Sequence, residues 1–227
     1  MRFIAEAATT HGGSMDNALK LIGEAKAAGA DTIKFQHVDC RHFGSNKSLY
    51  EWYQKVRFSL AQWHTIKGVC ESEGLKFLCT PQTVQDFEDL LEVGISEVKI
   101  SSDNATNWAL LKAVGNSGVD VFISQMVRFD TPPISNTVYM HCTSEYPCVL
   151  NKVFLRHSNE YHSPWGFSDH TTGYLAACMA LALGATVFEK HFMLSSSTGP
   201  DCGEWAMLPG QLKQYFDKLK EAQEIMG

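Results

Sequence analysis

Two histidines stand where apolar runs turn polar. His170 closes Gly166-Phe167-Ser168-Asp169-His170, and His191 lies within Phe188-Glu189-Lys190-His191-Phe192. If both stretches are strands, alternation puts Ser168 on the same face as His170, and Glu189 on the same face as His191. Two imidazoles on neighbouring strand ends, with a carboxylate beside one of them, make half of a metal site. Water and substrate oxygens would complete the shell of a divalent ion such as manganese, magnesium or zinc. For either histidine alone, an imidazole hydrogen-bonded to a neighbour is the simpler reading. The pair becomes a site only if the fold sets the two strand ends side by side.

Lys34 and Lys99 also end apolar runs. A buried ammonium is costly unless it meets an anion. With the hydroxyls of Thr80, Ser102, Ser124 and Ser168, the two lysines would cradle a phosphate or a carboxylate. Internal ion pairs to Glu6 or Glu189 are the alternative, and a Schiff-base role for Lys99 is also open. The polar, aromatic stretch 37–57 carries Arg41, His42, Tyr50, Trp52, Tyr53 and Arg57. It reads as a lid over such a site, with Trp52 and Tyr53 expected to pack on the neighbouring helix.

The elements that must position these groups alternate along the whole chain. Strands are expected at 3–8, 31–36, 75–80, 97–101, 120–124, 137–142, 164–168 and 185–190. Helices are expected at 15–28, 59–73, 84–93, 107–114, more weakly at 149–156, and at 173–183 and 209–225, with Met179, Leu181 and Leu183 as core residues. Gly29, Gly74 and Gly94 are the stop signals between helix and strand. Eight strands, nearly all followed by a helix, predict an α/β fold, a (β/α)8 TIM barrel in one domain over 1–227. An open doubly wound sheet is the alternative. Polar residues end every strand: Glu6, Lys34 and Gln36, Thr80, Lys99 and Ser101, Ser124, His141 and Thr143, Ser168 and His170, Glu189 and His191. Only a closed mouth would bring them together. Pro132 and Pro133 fall within the twelve residues between Ser124 and Thr137, so the helix between strands five and six is expected to be missing. That side would be thinly covered, or covered by a partner chain.

Composition limits the partners. Of 227 residues, 19 are basic and 25 acidic, a net charge of −6 without a basic run, which argues against nucleic acid and anionic membrane surfaces. The chain lacks the roughly 18 consecutive apolar residues of a membrane span, and its start is too short and polar for a signal peptide, so a cytoplasmic location is expected. Seven scattered cysteines without a Cys-x-x-Cys pair fit reduced thiols.

A set of motifs keeps its order and spacing over nearly the whole chain. It comprises Ile4-Ala5-Glu6, Gly29-Ala30-Asp31-Thr32-Ile33-Lys34-Phe35-Gln36, Thr80-Pro81, Val98-Lys99-Ile100, His141-Cys142-Thr143-Ser144-Glu145-Tyr146-Pro147, Gly166-Phe167-Ser168-Asp169-His170-Thr171, Leu183 to Phe192, and Gly199-Pro200-Asp201. The set resembles the catalytic barrel of the sialic acid synthase (N-acetylneuraminate synthase) family, which condenses phosphoenolpyruvate with an N-acylated amino sugar. The resemblance implies that His170 and His191 bind the divalent metal, manganese before magnesium or zinc. It implies that Lys34, Thr80, Lys99, Ser102, Ser124 and Ser168 hold phosphoenolpyruvate, which Ser144 also touches. Gln36, Tyr146 and Asp201 would contact the sugar. The family usually has a carboxylate five residues after the strand-four lysine, and here Asn104 stands there, leaving Glu6 and Glu189 as the acid–base candidates. The family's C-terminal antifreeze-like domain, which completes the active site in its dimers, has no counterpart in this sequence. A homodimer built otherwise, or a separate partner, is therefore expected. Cys202-Gly203-Glu204-Trp205 also departs from the usual polar stretch. Two other classes remain open: a metal-dependent or Schiff-base barrel lyase or isomerase, and a noncatalytic remnant that binds metal and anion.

Overall fold

The computed structural model describes residues 1–126, 134–155 and 164–226. Local chemistry sets its helix ends. Ser14 accepts from Asn17 N to start α1 (Met15–Ala28), and Gly29 stops it in the left-handed conformation at φ 90°, which a side chain would resist. Ser59 with Gln62, and Thr83 with Asp86, form capping boxes that open α3 (Leu60–Ser72) and α4 (Val84–Glu92). The remaining helices are α2 (Lys47–Val56), α5 (Trp108–Gly115), α6 (Leu175–Ala182) and α7 (Pro209–Met226). Among the described residues, no helix is long and apolar enough to cross a membrane.

Eight parallel strands form the centre: β1 (Arg2–Ala8), β2 (Thr32–His37), β3 (Lys76–Pro81), β4 (Glu97–Ile100), β5 (Asp120–Gln125), β6 (Thr137–Cys142), β7 (Trp165–Asp169) and β8 (Val187–His191). Their hydrogen-bonded order is β3-β2-β1-β8-β7-β6-β5-β4, and β3 lies against β4, so the sheet is a nearly closed (β/α)8 barrel rather than an open one.

Alternation then stacks the interior in layers. At the floor, Arg2 pairs with Glu97 and donates to Thr32, while Lys76 donates to Glu97 at 2.9 Å. Above it, Ile4, Leu78, Phe122, Met140 and Val187 form a small apolar cluster, separate from the larger core between strands and helices. Gly166 belongs to this layer, and a Cβ there would lie 2.9 Å from Val187 O. Two residues further along each strand, the same inward face carries Glu6, Thr80, Ser124, Cys142, Ser168 and Glu189, so the C-terminal mouth is polar because the strand pattern changes there.

Several expectations shift. The weak helix at 149–156 is a 3-10 turn over Leu150–Lys152, with Arg156 outside the described residues. The stretch 37–57 holds a 3-10 turn (Cys40–Phe43) and α2. The predicted gap after β5 falls largely on 127–133, which lie outside the described residues, as do Pro132 and Pro133. Met179 is 52% exposed rather than core. Ala176, Ala177, Ala180 and Leu181 form the inner face of α6, and Met179 lies about 200° around the helix from Ala177.

Candidate active site

A cavity of about 410 Å³ opens at the C-terminal mouth, and all eight strands contribute to its wall. Of the residues singled out above, Glu6, Lys34, Gln36, Thr80, Lys99, Ser102, Ser124, Tyr146, Ser168, His170, Glu189, His191 and Asp201 line it. Ser144 stands behind the wall, with its Oγ 2.7 Å from Ser102 Oγ.

At the base of the cavity the charges are paired with one another. Lys34 Nζ lies 2.9 Å from Glu6 Oε1 and 3.6 Å from Glu189 Oε2, and donates to Thr80 Oγ1 at 3.1 Å. Lys99 Nζ donates to both Glu189 oxygens at 3.0 and 3.2 Å, and Ser168 Oγ donates to Glu189 Oε1 at 2.8 Å. The internal ion pair, the alternative reading for both lysines, is thus what the structure contains. Its electrostatics divide the two acids. Burial opposes the Glu189 charge, but Lys34 and Lys99 outweigh it and hold that carboxyl well below its usual range. At Glu6 burial wins over Lys34, and its pKa is raised to about 7. Burial also lowers Lys99, with Glu189 only partly compensating, whereas Glu189 and Glu6 together overcome burial and raise Lys34.

The two histidines meet because β7 and β8 are neighbours, and their ring centroids are 5.5 Å apart. His170 Nδ1 bonds Thr143 O at 2.7 Å, which directs the lone pair of Nε2 outward. Burial lowers the His170 pKa to about 4 and takes His191 well below its ordinary value, so both rings are neutral at neutral pH, the form that binds metals. His191 Nδ1 is buried and has no partner among the described residues. Two neutral imidazoles, one with an orphaned nitrogen, suit an open divalent site. No group of three or more His, Cys, Asp or Glu among the described residues is placed to hold an ion, so other ligands would have to come from water or substrate. Tyr146 packs over this pair, 4.1 Å from the His170 ring centroid, and Trp205 meets Tyr146 at 5.5 Å.

The rim ties the stretch 37–57 to the barrel. Asp201 accepts from Thr9 N at 3.1 Å and from Thr9 Oγ1, and Thr9 Oγ1 in turn accepts from Trp52 Nε1 at 3.1 Å. Tyr53 OH donates to Gln36 Oε1 at 3.1 Å, and Gln36 Nε2 reaches Glu6 Oε1 at 3.5 Å. Trp52 and Tyr53 therefore bond into the mouth, contrary to the expectation that they pack on the neighbouring helix. Arg57 anchors the other end of this segment to Asp39 at 2.7 Å and Asp89 at 3.3 Å.

The sequence reading missed Gln82, Cys142 and Trp205 as wall residues, and it misplaced His141. His141 points to the outer face of β6 and stacks on Phe167, with centroids 6.2 Å apart, while Cys142 takes the inward position. Counting in twos from an inward Met140 would have found it. Gln82 lies just beyond a strand end, and no periodicity marks it.

Known proteins resemble this chain in sequence and fold. The chain is 31% identical over 241 residues to the uncharacterized protein MJ1065 of Methanocaldococcus jannaschii, covering 99% of this chain and 71% of that protein. It is 30% identical to the N,N'-diacetyllegionaminic acid synthase of Legionella pneumophila, covering 99% of this chain and 72% of that enzyme. The crystal structure of N-acetylneuraminic acid (sialic acid) synthetase from Leptospira borgpetersenii, in complex with citrate, aligns with a TM-score of 0.87 at 28% identity, over 99% of this chain and 84% of that one. The model of the NeuB family matches residues 21–227. With the barrel, the polar mouth and the match to the family model all in agreement, the chain belongs to the NeuB family.

Proposed function

We propose that this chain condenses phosphoenolpyruvate with the open-chain aldehyde of an N-acylated amino sugar, giving a nine-carbon, sialic-acid-like sugar acid and inorganic phosphate. The observation that carries this is a set of buried polar atoms with unfilled hydrogen bonds in one cavity. Glu6 Oε2, Ser124 Oγ and His191 Nδ1 have no partner among the described residues, and they sit beside two lysines. Buried polar groups are rarely left unpaired unless something else completes them. The names of the Legionella and Leptospira relatives supply the product class.

In this reading Lys34 and Lys99, with Thr80, Ser102, Ser124 and Ser168, neutralise the phosphate and carboxylate of phosphoenolpyruvate, and Ser144 supports Ser102. Gln36, Tyr146 and Asp201 position the sugar. His170 and His191 would hold a divalent ion, with manganese the first choice and magnesium or zinc alternatives, and such an ion supplies polarisation of the aldehyde. The enol carbon forms the new bond to the aldehyde carbon, whose oxygen takes a proton. Water then adds to the resulting cation and loses a proton. The C–O bond to phosphate breaks, the phosphate takes the electron pair, and the hydroxyl gives up its proton to the departing phosphate as a ketone forms. Glu6, with a pKa of about 7 and one free oxygen, is suited to carry a proton in these steps. Glu189, held ionised by two lysines, is suited to orient them.

Phosphate release from phosphoenolpyruvate, measured with manganese and a panel of amino sugars, tests the reading. Release is expected only with N-acylated aldoses. Saturable phosphoenolpyruvate binding without release for any sugar would instead favour a noncatalytic binding protein. His170→Ala and His191→Ala should each lose bound metal after dialysis, as read by elemental analysis, and unchanged metal content would refute the assignment.

A further inference from the structure

A file of three side-chain amides runs from a helix end into the cavity, and the helix fixes which way each of them points. Asn107 caps α5, with its Oδ1 accepting from Leu110 N at 3.2 Å. Its Nδ2 is thereby the end that faces Asn104, and it donates to Asn104 Oδ1 at 3.0 Å. Asn104, buried, must then direct its own Nδ2 onward, and it donates to Gln82 Oε1. With Oε1 engaged, the remaining polar end of Gln82 is Nε2, and both Gln82 and Asn104 line the cavity. Turning over any one amide would set donor against donor or acceptor against acceptor at a junction, and turning over Asn107 would give up the helix cap. The start of α5 therefore determines that this part of the mouth offers a hydrogen-bond donor.

We propose that Gln82 is a specificity-determining residue whose Nε2 donates to the acyl carbonyl of the acceptor sugar, and that Asn104 and Asn107 are positioning residues that hold it in that sense. A carbonyl oxygen only accepts, and so complements a group that here can only donate. The ammonium of the corresponding free amino sugar only donates, and so cannot pair with an Nε2 that also only donates. Asp103, which also lines the cavity, is exposed and offers a cation only a solvent-screened partner. Discrimination of this kind comes from a mispaired polar group rather than from the size of the pocket. The inference rests on the condensation reading for the identity of the acceptor, but it can be tested by binding alone.

Isothermal titration calorimetry in the presence of phosphoenolpyruvate gives Kd for an N-acetylated amino sugar and for its free-amine counterpart. The parent protein should prefer the acetylated sugar by at least about tenfold. Gln82→Glu keeps an oxygen for Asn104 Nδ2 and replaces the cavity-facing donor with an acceptor. It should weaken the acetylated sugar by about tenfold and strengthen the amine, reversing the ratio. Gln82→Met should lower the preference without reversing it. Asn107→Asp keeps the cap oxygen but removes the donor to Asn104, and should reduce the preference less than either. A ratio of the two sugars unchanged within about twofold in Gln82→Glu overturns the proposal, as does a parent that binds both sugars equally or neither. Phosphate release is measured separately on the same samples. Its absence alongside the predicted shift in ratio would reject the condensation reading and leave the role of Gln82 supported.

Discussion

Glu189 is the group on which the charges inside the barrel converge, and replacing it with glutamine gives the sharpest test of that arrangement. Its carboxylate takes two hydrogen bonds from Lys99, one from Ser168, and an ion pair from Lys34 at 3.6 Å. At an effective dielectric near 20, charges about 3 Å apart attract by roughly 5 kcal/mol before the cost of burial is counted. Burial offsets much of that attraction, but removing one partner of a buried pair leaves the other uncompensated, at a cost of about 3–5 kcal/mol. For a chain of this size that corresponds to a fall in Tm of roughly 6–20 °C. Because the folded-state pKa of Glu189 is depressed, its contribution is present above its ordinary value of 4.5 and is lost as pH falls through the folded value. Thermal melts followed by circular dichroism at pH 8, above the Glu6 value of about 7, should therefore show the full deficit. Glu189→Gln also frees Lys99 and leaves Lys34 with Glu6 alone, so inorganic phosphate should raise its Tm more than it raises that of the parent. A variant melting within about 2 °C of the parent, with no larger response to phosphate, would refute a charge cluster centred on Glu189.

Two further outcomes follow from single contacts. Glu6, raised to about 7, binds its proton more tightly folded than unfolded, so its contribution to stability is full below 4.5 and is lost as pH rises through 7. Glu6→Gln should gain on the parent by on the order of 3 kcal/mol between pH 4.5 and pH 8 in urea melts, and a flat difference would show that Glu6 is not perturbed. At Gly203 a Cβ would lie 2.0 Å from the Trp205 ring, so Gly203→Ala must displace that ring from Tyr146. Since such ring pairs are worth about 0.5–1.5 kcal/mol, sugar binding should weaken about 2–10-fold with phosphoenolpyruvate binding intact. Equal losses for both ligands would place Trp205 outside the acceptor wall.

The residues that end the strands could be read from the chain, because a period of two changing from apolar to polar is a local signal. Lys34, Thr80, Ser124, Ser168 and Glu189 were found in that way, and all of them face the cavity. His141 was not, because the same signal leaves the phase of a short strand open by one residue, and Cys142 holds the inward place. The amide file of Asn107, Asn104 and Gln82 was invisible, since it joins the end of β3 to the start of α5 through side chains alone. Trp52 and Tyr53 were assigned to the wrong neighbour for a similar reason. The helix α2 is amphipathic, and its pattern does not say whether its apolar face meets another helix or the mouth of the barrel.

By itself the sequence determined the alternation of strand and helix, the count that closes a barrel, and the types of side chain at its mouth, because each depends on residues close together in the chain. Only the tertiary structure decided which charges meet. The pairing of β1 with β8 sets Glu6 opposite His191, and the pairing of β7 with β8 sets Ser168 opposite Glu189. Lys99 reaches the same carboxylate across the barrel from β4. Register and closure bring together groups as far apart in the chain as Glu6 and His191. An ion pair or a metal site depends on separations of a few ångströms, which spacing along the chain cannot specify.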